Sequence, residues 1–131
     1  MSADPVVVQQ GDREWESWPE EQVAQRGEAQ WKTLISAGVT QSERLTVGIA
    51  RLPPGGVLHT HHHAQPEAYL VLEGSGVVTI DGSARAIGQG MGVFIPGNAR
   101  HSVTATGETD LRLAYVLAAD AFEDVEYVFS E

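Results

Sequence analysis

The chain contains no cysteine. Disulfides and thiolate metal sites are thereby excluded, while the compartment stays open, because many cytosolic chains also carry few cysteines. Cations are scarce too: 8 Lys and Arg stand against 18 Asp and Glu, for a formal net charge of −10. A field of that sign repels phosphate backbones and anionic lipid heads, so neither nucleic acid nor a membrane surface is an expected partner. The eight cations (Arg13, Arg26, Lys32, Arg44, Arg51, Arg85, Arg100 and Arg112) are spread along the sequence, and no basic patch is expected of them. No apolar run approaches the ~20 residues that would span a bilayer. The opening Met-Ser-Ala-Asp-Pro has neither a basic start nor an apolar segment, so no secretory leader is read and a cytoplasmic location is expected.

What is present is one domain's worth of chain, 131 residues, long enough to bury a core without staples. Residues 1–30 are polar, rich in Glu and Gln, and carry Trp15 and Trp18 without a strand pattern. Within them Pro19 to Gln30 suits a short helix, with Pro19 at its first position and Glu20 and Glu21 in its first turn. We read 1–30 as an extension that drapes over the domain and 31–131 as the domain itself. From Trp31 onward, short apolar or alternating runs are separated by turn residues such as Pro53-Pro54-Gly55-Gly56, Gly74-Ser75-Gly76 and Pro96-Gly97-Asn98. That spacing suits strands and predicts an all-β sandwich or barrel. Asp81-Gly82 is the strongest hairpin signal, since a two-residue type I′ turn needs φ > 0 at both positions.

Four of the five histidines lie in His59-Thr60-His61-His62-His63, and the fifth is His101. If Val57 to His63 is a strand, alternation puts His59, His61 and His63 on one face and His62 on the other. By the same rule Glu67, Tyr69 and Val71 share a face, with Leu70 and Leu72 opposite. Two imidazoles two residues apart can hold one ion, a carboxylate beyond the turn can add a contact, and His101 can complete the set from a distant strand. Three imidazoles and a carboxylate with no sulfur suit a divalent first-row ion: manganese, iron, cobalt, nickel or zinc. An octahedral ion would keep two positions open, which points to reactivity more than to structure.

The spacing of Gly55, His61, His63, Glu67 and Gly74 is similar to the first motif of the cupins, and Gly90, Pro96 and His101 match the second. Two positions depart from it. Asn98 stands where glycine is usual, a change that the φ > 0 tolerance of Asn accommodates. Ala105 stands where asparagine is usual. The resemblance implies a cupin jelly-roll barrel, a double-stranded β-helix, with His61, His63, Glu67 and His101 as ligands of one divalent metal ion. A further likeness runs from about residue 30 to the C-terminus: Trp31-Lys32, Pro54-Gly55-Gly56, His61 to Tyr69, Gly97-Asn98-Ala99 and Val125-Glu126-Tyr127. Over this stretch the chain resembles the single-cupin lyases that cleave dimethylsulfoniopropionate to dimethyl sulfide and acrylate.

That second resemblance implies catalytic roles for Tyr69 and Tyr127, a small carboxylate substrate, and a homodimer with the N-terminal segment and Trp31 near the interface. Trp31 is otherwise expected in the core. His59 is a candidate to line the cavity or its rim. An iron-dependent dioxygenase, a sugar isomerase and a non-catalytic binder of metal or small molecules use the same scaffold, and they stand as alternatives.

Overall fold

Turn chemistry and period-two burial divide the chain into eleven short strands, described by a computed structural model over residues 4–130. They are β1 (Glu16–Ser17), β2 (Gln30–Ile35), β3 (Thr46–Leu52), β4 (Val57–His62), β5 (Glu67–Glu73), β6 (Ser75–Ile80), β7 (Ser83–Gly88), β8 (Gly92–Ile95), β9 (His101–Ala105), β10 (Leu111–Leu117) and β11 (Val128–Phe129). Met1 to Ala3, where the leader reading begins, and Glu131 lie outside the described residues. One sheet has the order β1-β2-β3-β10-β5-β8 and the other β11-β4-β9-β6-β7. Every pairing is antiparallel. This is the expected jelly-roll barrel. Among the described residues no helix is long and apolar enough to cross a membrane.

The inner face of each sheet is apolar. On β10, Leu111, Leu113, Tyr115 and Leu117 are buried and alternate with less buried residues. Val71, Val78, Ile95 and Val103 meet them from β5, β6, β8 and β9. On β5, Glu67, Tyr69 and Val71 are buried while Ala68, Leu70 and Leu72 are exposed, so the sequence alternation is realised. The outer face is open within this chain: Leu70 is 49% exposed and Phe94 on β8 is 68% exposed. The Asp81-Gly82 hairpin forms as expected, with φ of 47° and 84° in the turn. Asn98 adopts φ 66°.

The N-terminal residues form more structure than the sequence suggested. Glu16 and Ser17 pair with Trp31 and Gln30, so a strand lies where no strand pattern was read. The expected helix is reduced to a 3-10 turn at Glu20–Gln22, with Pro19 as its cap, and one α turn, α1 (Val23–Arg26). It stops at Gly27, whose φ is 110° and where a side chain would run into the Val57 carbonyl.

The cations are also less scattered in space than in sequence. Arg51 and Arg112 are direct partners across β3 and β10. With Lys32 they surround the Trp15 ring, at 3.9, 5.9 and 4.9 Å from its centroid for Arg51, Arg112 and Lys32. Like charges placed opposite each other repel. Here the indole face offsets part of that cost through cation–π attraction. Lys32 also donates to the Gln10 carbonyl and Arg112 to Gln10 Oε1, which clamps the N-terminal segment onto the outside of the first sheet.

Candidate metal centre

Register brings the site together. His61 near the end of β4 sits directly opposite His101 at the start of β9. His63 follows in the turn, and Glu67 opens β5. The Asn98 N–H donates to the His63 carbonyl (2.8 Å), tying the Pro96-Gly97-Asn98 turn to that end of the barrel. All four side chains are buried, at 1% exposure for His61 and His101, 2% for His63 and 5% for Glu67. The candidate ligand atoms of the three histidines lie within 4.8 Å of one another. Glu67 Oε1 is 3.3 Å from His63 Nε2 and 3.4 Å from His101 Nε2.

The proton positions follow from the backbone. His61 Nδ1 is 2.9 Å from the His59 carbonyl, His63 Nδ1 is 2.9 Å from the Gln65 carbonyl, and His101 Nδ1 is 2.9 Å from the Ala99 carbonyl. A carbonyl can only accept, so in each neutral ring Nδ1 carries the hydrogen and Nε2 carries a lone pair. The Nε2 atoms of His63 and His101 and Oε1 of Glu67 are buried and have no hydrogen-bond partner. Two lone pairs thus face a carboxylate oxygen with nothing between them. Such an arrangement is unfavourable until a cation or a proton occupies the gap. Three oriented nitrogen donors and one oxygen, two of the nitrogens and the oxygen unsatisfied, fit a divalent first-row metal ion.

Electrostatics agree. Burial, and then the facing His101, push the His61 pKa down to about 3, against a pull upward from the His59 carbonyl. Burial alone would raise the Glu67 carboxyl, but hydrogen bonds with His101 and His63, made when a proton fills the gap, outweigh that and hold it below the usual carboxylate range. The donors are therefore a neutral imidazole and an ionised carboxylate at neutral pH, the forms that bind a metal.

His59 does not join them. The β4–β9 register shifts between Leu58 and His61, a bulge that resets the alternation, so Leu58 lines the interior and His59 is exposed. The same bulge carries the His59 carbonyl to His61 Nδ1. His62 lies on the other side, paired with Val128.

Beyond His61 and Glu67 opens a cavity of about 60 Å³. Its walls include Tyr69, Tyr115, Tyr127, Phe122, Trp31 and Trp18. Tyr69 is buried beside Glu67's strand neighbours, and Tyr127 stacks on His61 at 5.3 Å with its centroid 5.1 Å from His63. Tyr127 is thus beside the histidines, while Tyr69 lines the same cavity with Glu67. Burial, then the Glu67 charge, push the hydroxyls of both well above the ordinary tyrosine value. Trp31 packs against the core as expected, and its ring also forms part of the cavity wall, against Trp18 and Phe122. Trp18 was missed, and the signal was a bulky aromatic in an otherwise polar stretch. The buried Tyr115 ring crosses Gly48, where an added Cβ would run into Oη.

A two-sheet barrel with such a centre at one end defines a class, and the family model described as the cupin domain matches residues 48–117. The chain belongs to the cupin family. It is 45% identical over 104 residues to the dimethylsulfoniopropionate lyase DddW of Ruegeria pomeroyi, which covers 79% of this chain and 68% of that protein. It is 30% identical over 93 residues to the oxalate-binding protein of Thermotoga maritima, covering 70% of this chain and 77% of that one. A structure from work on the DMSP lyases RdDddP and RnDddQII superposes with TM-score 0.75 over 91% of this chain and 63% of that one, at 21% identity, a likeness of fold.

Proposed function

We propose that this protein is a metal-dependent lyase that eliminates dimethyl sulfide from dimethylsulfoniopropionate. The observation that carries the reading is the gathering of His61, His63, Glu67 and His101 against an aromatic cavity, with Nε2 of His63 and His101 and Oε1 of Glu67 buried and unpartnered. The 45% identity to DddW supports the choice of reaction. The ligands in this reading are those four residues, holding one divalent ion of manganese, iron, cobalt, nickel or zinc.

A bound divalent ion supplies positive charge that stabilises the charge building on a substrate carboxylate and lowers the pKa of nearby phenols. Tyr69 is the proposed base. It takes the proton from the carbon next to the carboxylate. The electrons of that C–H bond form the new C=C bond, and the C–S pair leaves with sulfur. The products are dimethyl sulfide, acrylate and a proton on Tyr69. Tyr127, stacked on His61, closes the other side and presents a π face to the sulfonium cation, as Trp18, Trp31 and Phe122 do.

A non-catalytic binder of small carboxylates is the second reading, favoured by the likeness to the oxalate-binding protein. We further propose a homodimer in which a partner covers the outer face around Leu70, Leu72 and Phe94. The test of function is headspace detection of dimethyl sulfide from the metal-reconstituted protein, beside a chelated control and His63→Ala. Gas lost in both controls supports the lyase. No gas with any of the five metals, with binding of carboxylates retained, rejects it for the binder.

A further inference from the structure

Every donor atom of the centre belongs to a side chain no more than 5% exposed, and the adjoining cavity is about 60 Å³. A wall that moves would widen the way in. Most walls are strands in long ladders, such as the seven paired residues between β3 and β10. Trp18 is different. It directly follows β1, which holds to the sheet through two pairs, Glu16 with Trp31 and Ser17 with Gln30. Its ring is held by packing alone: 4.6 Å from Trp31, 5.7 Å from Phe129 and 6.0 Å from Tyr127, with the Arg26 guanidinium 4.8 Å above it. The indole N–H is buried without an acceptor, so no directional bond fixes it.

The segment around it is fastened at both ends. Upstream, Trp15 is clamped by Lys32, Arg51 and Arg112. Downstream, the Glu28 N–H donates to the Val57 carbonyl (2.9 Å), directly after the φ 110° bend at Gly27. A strap anchored at two points and weakly paired between them can lift its middle without unfolding the barrel.

We propose that Trp18 is the gate of the cavity, and that small molecules reach the histidine centre when residues 16–26 lift it away from Trp31. This rests on the reading that the cavity takes a small molecule, and its test reads access in the metal-free protein, so it stands or falls separately from gas release. The chain has no native cysteine, which permits a clean reversible lock, Ser17→Cys with Gln30→Cys. The probe is diethyl pyrocarbonate, which acylates accessible imidazoles, mapped by mass spectrometry. Oxidising the lock is expected to slow acylation of His61 and His63 at least tenfold relative to the reduced form, with exposed His59 unchanged. Trp18→Gly is expected to speed it at least tenfold. A control lock on the second sheet, Thr79→Cys with Ser102→Cys, is expected to have no such effect. Equal rates in the oxidised and reduced forms, equal slowing by the control lock, or no acceleration in Trp18→Gly would overturn the gate.

Discussion

Lowering the pH of the metal-free protein from 7 to 5 tests the buried imidazole directly. His61 has a folded pKa of about 3, against an ordinary value of 6.5. As pH falls below 6.5, the unfolded chain takes up this proton first and the folded chain does not. Stability contributed by neutral His61 is therefore lost as pH falls, over the window from 6.5 down to about 3. The limiting slope is about 1.4 kcal/mol per pH unit. Between pH 7 and pH 5 the loss from this one group comes to about 2 kcal/mol. At about 2.1 cal/mol/K per residue, a chain of 131 residues melts with an entropy of roughly 0.28 kcal/mol/K, so Tm should drop by about 7 °C more than in a protein without the group. Glu67 is held below the carboxylate range, so its own contribution is lost at lower pH and leaves this window to the imidazole. The assay is calorimetric melting of metal-free wild type and His61→Asn at both pH values. Subtracting one pH dependence from the other cancels the exposed histidines. A wild-type drop no larger than that of His61→Asn would refute the buried, neutral imidazole on which the donor set depends.

Tyr69→Phe should leave metal content stoichiometric, checked by elemental analysis, and cut dimethyl sulfide release by about two orders of magnitude or more, as loss of a base does. Gly48→Ala should destabilise by about 3 kcal/mol or more in denaturant melts, because the new Cβ runs into Tyr115 Oη and meets the Lys32 carbonyl at 2.6 Å, one of them backbone that cannot turn aside. Leu70→Arg should convert a dimer to a monomer by light scattering at micromolar concentration without lowering Tm of the monomer, since its side chain is half exposed; a wild type that is already monomeric at that concentration would remove the dimer proposal.

The barrel and its metal-side residues were legible because local chemistry dictated them. Asp81-Gly82 could make only a tight hairpin, and Glu67, Tyr69 and Val71 kept the strand period without interruption. His59 was not legible, because a single inserted residue between Leu58 and His61 reverses the parity of a strand and leaves no mark in the alternation. The meeting of Arg51 with Arg112 was hidden for another reason: it depends on which strands become neighbours, and β3 and β10 are far apart in the chain. Trp18 combined both difficulties, reaching the cavity through a two-residue strand in a polar stretch that offered no periodicity.

Each of the three imidazoles takes its orienting carbonyl from a residue two positions away in its own segment: His59 for His61, Gln65 for His63 and Ala99 for His101. No side chain elsewhere in the barrel has to be kept in step with the donors. Walls such as Trp18, Trp31 and Phe122 can therefore be exchanged one at a time while the donor set holds its tautomers. The protein divides into a self-contained donor end and a chamber whose shape can be altered separately.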